Sequence, residues 1–356
     1  MASSDRTVAP LHEITSKTTS VVEPLKCQAR CSLPTALASV RFKSEKEDEI
    51  DQRDLSPREH TCDVLIEVTK LLSKRERCKM PSDFVVHIPI DRSSEQIIDC
   101  AVSVASSFDA HLDGIACVYQ SLDSVIAFEA SAAAVAGATE YDTGVELAAA
   151  ALDQFEIAAR RAGISHGIRT VCNSPYPASQ TLAETSRLYD LSMVAQPNRA
   201  RPSPNDLLPE AVLFNSGRPM LMVPYIHAGP LKLERVLICW DGGRPAARAV
   251  HDAMPFLHKA KVIDVVTVNG DDSMVSEVSA AALIVHLARH DISAGVQQPT
   301  ADASDIHNAI LSLAADKSSD LIVMGGYGHS RLREFILGGV TRGMFESLTV
   351  PALISH

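Results

Sequence analysis

One order of elements occurs twice in this chain. "DFVVHIPIDRSSEQIIDCAVSVASSF", from Asp83, runs apolar strand, aspartate, then a helix whose Ile97, Ile98, Ala101, Ala105 and Phe108 recur at intervals of three and four. That interval is what one buried helix face requires. "RVLICWDGGRPAARAVHDAMPFLHKAKVIDVVTVNG", from Arg235, repeats the order and predicts an inward face of Ala246, Ala247, Val250, Met254 and Leu257. The repeat is roughly 135–150 residues long, beginning near Asp83 and Glu234. Short strands alternating with helices of ten or more residues are the mark of βαβ units in a parallel sheet. Right-handed crossovers then place helices on both faces.

The rest of each repeat follows the same rule. In the first, strands are predicted at Phe84–Ile90, His111–Gln120, Gly167–Asn173, Asp190–Gln196 and Pro219–Tyr225, with helix between Ala127 and Ala162 and another ending at Tyr189. In the second, helices are predicted at Val278–His290 and Ala303–Ala315, a weak strand at Gly295–Gln298, and strands in "DLIVMGG" and "PALISH". The fold expected is α/β: two tandem open parallel five-stranded sheets, helices on both faces, packed as a pseudo-dimer. Residues 81–226 form the first domain and 232–356 the second. "YIHAGPLKLE", Tyr225 to Glu234, links them, and its Gly229-Pro230 pair interrupts regular structure.

Composition agrees. Hydrophobic residues make up 46% but aromatics only 4%, so the interior is built from Ala, Val, Leu and Ile, as in helices packed on a parallel sheet. Residues 1–80 hold 14 Lys/Arg and 13 Asp/Glu, which leaves 19 and 31 for the remainder. An acidic folded part repels polyanions and argues against nucleic acid as a partner. The mixed-charge run "KSEKEDEIDQRDLSPREH" predicts a disordered extension over 1–80, with a short helix near Val64–Leu72. No apolar run reaches 18 residues, so no membrane span is expected. Eight cysteines without a CxxC pair point to reduced thiols and a cytosolic compartment.

The stretch richest in chemistry is "VMGGYGHSRLREFILGGVTRG", Val323 to Gly343. Its glycines stand at the carboxyl end of a predicted strand, where open parallel sheets collect ligands. Gly325 and Gly328 can bring backbone N–H groups close to an anion, and Gly338 and Gly339 precede a helix whose free amides favour phosphate. The same glycines also suit a tight strand-to-helix turn, and spacing alone leaves both readings open. The segment is neither a dinucleotide fingerprint nor a Walker A loop, since the GxGxxG spacing and the Gly-Lys-Ser/Thr ending are absent.

Residues 83–356 resemble a tandem universal stress protein of the bacterial type, with the adenine nucleotide alpha-hydrolase-like fold. Nucleotide-binding members carry G-x2-G-x9-G-Ser/Thr, and Gly325, Gly328 and Gly338 stand at that spacing here. The resemblance implies ATP or AMP, with or without Mg2+, as the ligand. It places Asp241 beside the adenosine, Val268 along the adenine pocket, and Gly325, Gly328, Gly338, Gly339 and Val340 around the phosphates. Gly339 replaces the expected Ser or Thr, so a hydroxyl is lost while the amide remains. The first repeat keeps Asp91, but "PNRARPSPNDLLPEAVLFNSGRP" lacks the glycine spacing, so no nucleotide is expected there. No paired carboxylates, Gly-x-Ser-x-Gly elbow or HExxH motif nominates a catalytic residue. Asp271, Asp272 and Glu277 suit a solvated helix start better than a magnesium site. Members of the family pair their terminal strands across a dimer, and the resemblance implies such a pairing within this chain between Pro219–Pro224 and Leu348–Ile354, which would cover two sheet edges. The reading is a non-catalytic stress-response sensor with intramolecular domain pairing and further association as a homodimer. The alternative is a nucleotide-independent interaction or chaperone-like module.

Overall fold

The computed structural model describes residues 81–120, 131–269, 277–302, 304–326 and 339–356. The extension over 1–80, Gly328 and Gly338 lie outside these residues. In the first repeat β1 (Asp83–His87), α1 (Glu95–Phe108), β2 (His111–Tyr119), α2 (Ser131–Ala162), β3 (His166–Asn173), α3 (Pro175–Ser186), β4 (Leu191–Ala195), α4 (Leu208–Asn215) and β5 (Met220–Val223) follow one another. The second contains β6 (Arg235–Cys239), α5 (Arg244–Leu257), β7 (Val262–Val266), α6 (Ala280–Ala288), β8 (Gly295–Gln297), α7 (Ile306–Asp316), β9 (Leu321–Gly325), α8 (Gly339–Ser347) and β10 (Ala352–Ser355).

Local chemistry sets the ends of these elements. Helix α1 buries all five residues predicted for its inward face and stops at Asp109, whose left-handed φ of 53° turns its N–H back onto the carbonyls of Ala105 and Ser106. Helix α6 begins at Ala280 because the Ser279 hydroxyl accepts the Ala282 N–H at 3.2 Å. Helix α5 departs from its predicted face: Ala246, Ala249, Val250, Ala253, Phe256 and Leu257 are buried, while Ala247 is exposed. Alanines mark an apolar stripe weakly, and Phe256 decides which way the helix turns. It meets Phe108 of the first repeat edge to face, with ring centroids 4.8 Å apart.

Each repeat uses a carboxylate to align its central strands. Asp190 Oδ2 accepts the N–H groups of Ser82 and Asp83 at 2.9 and 3.3 Å. Asp320 Oδ2 likewise accepts those of Glu234 and Arg235 at 3.0 and 2.9 Å. Both aspartates return their own N–H to the partner strand, Asp190 to Asp83 O and Asp320 to Arg235 O, each at 2.8 Å. Charged acceptors make stronger bonds than neutral ones, which pins the strand register at this end.

The sheet corrects one expectation. Instead of two separate five-stranded sheets there is one of ten strands, in the order β3-β2-β1-β4-β5-β10-β9-β6-β7-β8. The predicted pairing of the last strands joins them: β5 and β10 run antiparallel with Leu353 opposite Leu221, while every other pair is parallel. One face carries a core that includes Phe84, Phe108, Leu221, Phe256 and Leu353, and the other a core that includes Met220, Met222, Met324, Phe345 and Ile354. Both cores draw on both repeats, which belong to a single compact unit.

Leu353 is fully buried at this seam. Replacing it with Ala should cost about 3 kcal/mol, the usual penalty for a buried leucine cavity. Urea unfolding followed through Trp240 fluorescence and backbone circular dichroism reads the loss, and an unchanged midpoint would contradict the placement.

Candidate functional site

Strand order reverses between β6 and β9 in the second repeat and between β1 and β4 in the first. Such switch points open a crevice at the carboxyl ends of the strands. In the second repeat Asp241 follows β6, Gly325 ends β9, Val268 lies two residues beyond β7, and Gly339 and Val340 open α8. The topology therefore brings the described members of the predicted set to one edge of three adjacent strands, β9, β6 and β7.

Each has a local role as well. Asp241 is exposed, and its Oδ1 accepts the Gly243 N–H at 2.8 Å, turning the chain into α5. Gly242 makes that turn at φ 71°, and a Cβ on it would come within 2.9 Å of Val278 Cγ2. Val268 and Val340 are partly buried and pack against the core on the face of Met324 and Phe345. Thr267, beside Val268, has a buried hydroxyl oxygen with no hydrogen-bond partner among the described residues. Cys239 ends β6 with a thiol pushed up to about 12 by burial, with the Asp241 charge adding to it, so it stays protonated.

Gly325 lacks a side chain for a reason of packing. A Cβ there would lie 2.6 Å from the Pro245 carbonyl carbon and 2.8 Å from its Cβ, inside the first turn of α5. Beyond it, the Gly326 N–H is spent on Ser355 O at 2.8 Å, and the Gly326 carbonyl lies 2.9 Å from His356 Nδ1.

The first repeat fills its switch point with its own side chains. The Arg92 guanidinium donates to Gln196 O at 3.3 Å, to Ser203 Oγ at 2.8 Å and to Asp206 Oδ1 at 3.3 Å, and it pairs with Asp91 at 3.2 Å. Asn205 donates to Asp91 Oδ1 at 2.7 Å and accepts from the Tyr119 hydroxyl at 2.6 Å. Burial pushes the Asp91 carboxyl up, yet hydrogen bonds from Ser203 and Arg92 together with the Arg92 charge outweigh it and hold the group below its ordinary value. The crevice walled by His87, Pro89, Arg92 and Leu208 holds no water-sized void.

Asp91 is not the counterpart of Asp241. Phe84 pairs with Leu191 as Val236 pairs with Leu321, so Pro89 occupies the station of Asp241. Seven residues, 88–94, join β1 to α1, whereas four, 240–243, join β6 to α5. The longer loop is what carries Arg92 over the strand ends. Sequence reading missed this cluster, although Ser203-Pro204-Asn205-Asp206 has the spacing of a capping box and forms one.

The filled loop also touches the other repeat. Gln196 is buried and its amide donates to Phe345 O, in α8, at 3.0 Å. Arg199 pairs with Glu346, which Arg342 also holds at 2.9 Å. On the opposite face of the second repeat, a cavity of about 200 Å³ lies between α5 and α6, walled by Trp240, Val250, His251, Leu283 and His286.

Residues 232–356 match the family model described as the universal stress protein family. The match covers the second repeat, about a third of the chain. A stretch of 48 residues is 35% identical to a universal stress protein of Methanocaldococcus jannaschii, covering 14% of this chain and 30% of that one, so the match spans under a third of that relative's length. Among solved structures, a universal stress protein from Archaeoglobus fulgidus superposes with a TM-score of 0.57 at 16% identity, covering 76% of this chain and 95% of its own. A putative universal stress protein from Pseudomonas aeruginosa gives a TM-score of 0.50 at 17% identity, covering 77% and 93%. At such identities the likeness is one of fold, and its extent takes in both repeats. Among the described residues no group of three or more His, Cys, Asp or Glu side chains is placed to hold a metal ion, and no helix is long and apolar enough to cross a membrane.

Two outcomes test this geometry. Gly325→Ala should destabilise the chain by about 1–3 kcal/mol in urea whether or not nucleotide is added, because α5 must shift to admit a methyl group. Wild-type stability in that variant would remove the packing explanation. His87 is buried at the first switch point and its imidazole is pushed down to about 4, mainly by burial. A folded-state value below the unfolded one means stability is complete above pH 6.5 and falls as pH drops toward 4, by up to about 3 kcal/mol. His87→Leu should flatten that part of the pH profile of urea midpoints; a profile that keeps the wild-type slope assigns it to other groups.

Proposed function

We propose that the chain is a cytosolic stress-response protein whose second repeat binds an adenine nucleotide, ATP or AMP, as a signal rather than a substrate for turnover. The observation that carries the reading is the convergence of Asp241, Val268 and the start of α8 on the carboxyl edge of β9, β6 and β7. Gly325, Gly328, Gly338 and Gly339 complete the proposed phosphate side. The unpartnered Thr267 hydroxyl at that edge supports a polar ligand close by. A helix start such as that of α8 favours anionic phosphate. Asp241 Oδ2 lies outside the turn that uses Oδ1 and suits a ribose or adenine donor. Magnesium would then be bound through the phosphates and water, which is its usual habit.

The first repeat acts in this proposal as a closed scaffold. Arg92 supplies in cis the positive charge that a phosphate would otherwise attract, and Gln196 and Arg199 brace α8 from the first repeat's loop. A second reading, a nucleotide-independent interaction module, draws support from the packing role of Gly325 and the spent amide of Gly326.

Mass spectrometry of the freshly purified chain under nondenaturing conditions, with ATP calorimetry, separates the two. Copurified nucleotide or a calorimetric isotherm in wild type, lost in Gly328→Val, supports the sensor; no signal at millimolar ATP supports the interaction module. Gly339→Ser restores the hydroxyl expected at that position. It should tighten ATP binding about ten- to hundredfold, since a hydrogen bond to a charged group is worth roughly 1.5–3 kcal/mol. Unchanged affinity in that variant would show the hydroxyl to be irrelevant here.

A further inference from the structure

We propose that Ser165 is an activated serine that takes up an acyl group from an ester or thioester, with His111 as its base and Asp113 and Tyr189 as the groups that position that base. The site lies at the amino ends of the first repeat's strands, across the sheet from the switch point. His111 opens β2, and Ser165 occupies the connection from α2 to β3, which the Leu112 N–H fastens by donating to Ser165 O at 2.9 Å.

His111 Nδ1 lies 2.8 Å from Ser165 Oγ, and His111 Nε2 lies 3.0 Å from Asp113 Oδ1. The Tyr189 hydroxyl donates to Asp113 Oδ2. An ionised carboxylate only accepts, so the ring proton sits on Nε2 and Nδ1 is left as an acceptor for the serine hydroxyl. That is the tautomer a general base needs, and a nucleophile, a base and an orienting third group within hydrogen-bond reach are the marks of an activated hydroxyl. Positions 111 and 113 share one face of β2, and across from Asp113 on β3 stands Gly167, where a Cβ would collide with the Asp113 carboxylate. Ser165 is exposed, so an acyl donor can reach it.

The backbone adds a donor. Leu112 pairs with His166, which turns the Ser165 and Gly167 backbones toward β2 and the His166 N–H outward. β3 is an end strand of the sheet, so no strand among the described residues takes up that amide. An amide one residue after a nucleophile is the donor that stabilises a developing oxyanion in a nucleophile elbow.

In the step, Ser165 Oγ attacks the acyl carbon and its proton passes to His111 Nδ1. The donor's C–O or C–S bond breaks, and the departing alkoxide or thiolate takes the proton from His111. The products are Oγ-acylated Ser165 and a free alcohol or thiol. Asp113 remains ionised throughout and offsets the imidazolium charge.

The full chain treated with p-nitrophenyl acetate tests this without reference to nucleotide. A burst of p-nitrophenolate, with the acetyl group mapped to Ser165 by peptide mass spectrometry, is expected. Ser165→Ala should abolish the burst, and His111→Gln should slow it about a hundredfold, the lower range for general base assistance. Asp113→Asn offers a donor to Nε2, so it should slow acylation to a similar degree while nitrogen NMR shifts of the His111 ring record the exchanged tautomer. No burst from the wild-type chain, an adduct on another residue, or an equal burst from Ser165→Ala would overturn the proposal, and the wild-type mapping stands whatever the variants do to folding.

Discussion

The antiparallel contact of β5 with β10 is the interaction on which the rest of the molecule depends. Each repeat on its own would end in a strand with one side of its backbone unpaired and an apolar edge open to solvent. Joined through Met220–Val223 and Ala352–Ser355, the two edges satisfy each other and make one sheet. Every later feature inherits this seam. It merges the cores on both faces, brings Phe108 against Phe256, and holds α8 within reach of Gln196.

Within that frame the two repeats have diverged at the same topological place. Both keep the aspartate that clamps the start of the central strand, because the clamp serves register and costs nothing to the site at the other end. At the switch point they part. A loop longer by three residues lets the first repeat seat Arg92 among Asp91, Asp206, Ser203 and the Gln196 carbonyl, so the crevice closes on a charge of its own. The second repeat has a short loop held by Asp241, and its small residues let α5 approach β9 directly. Closure in one half and small residues in the other suit a scaffold that supports a responsive partner.

The described contacts also join the two places physically. The filled loop of the first repeat reaches α8 through Gln196 and Arg199, so the helix proposed to face phosphate is braced by the other half. The Ser165 cluster lies at the far end of the strands, where β1 and β2 begin, away from the edge proposed to bind nucleotide. The two ends of one sheet can therefore carry separate duties.

Much of this was legible in the residues. The repeat and the order of strands and helices follow from hydrophobic period and from glycine and proline placement, which are local signals, whereas the pairing of the last strands was expected from the family resemblance alone. Asp241, Val268, Gly325, Gly339 and Val340 were brought to one edge because topology follows from that order. The direction of α5 was less readable, since Ala247 and Ala249 look alike until Phe256 finds Phe108. The match of Asp91 to Asp241 failed because loop lengths differ, and only strand register reveals that Pro89 holds the station. The Arg92 cluster and the approach of Ser165 to His111 join residues 114 and 54 positions apart. The sequence by itself thus determined the repeats and their elements, because helix and strand periods are written within a few residues. The tertiary structure decided the single sheet, the filled first crevice and the Ser165 cluster, because hydrogen bonds and ion pairs between distant residues exist only once the strands have chosen their neighbours.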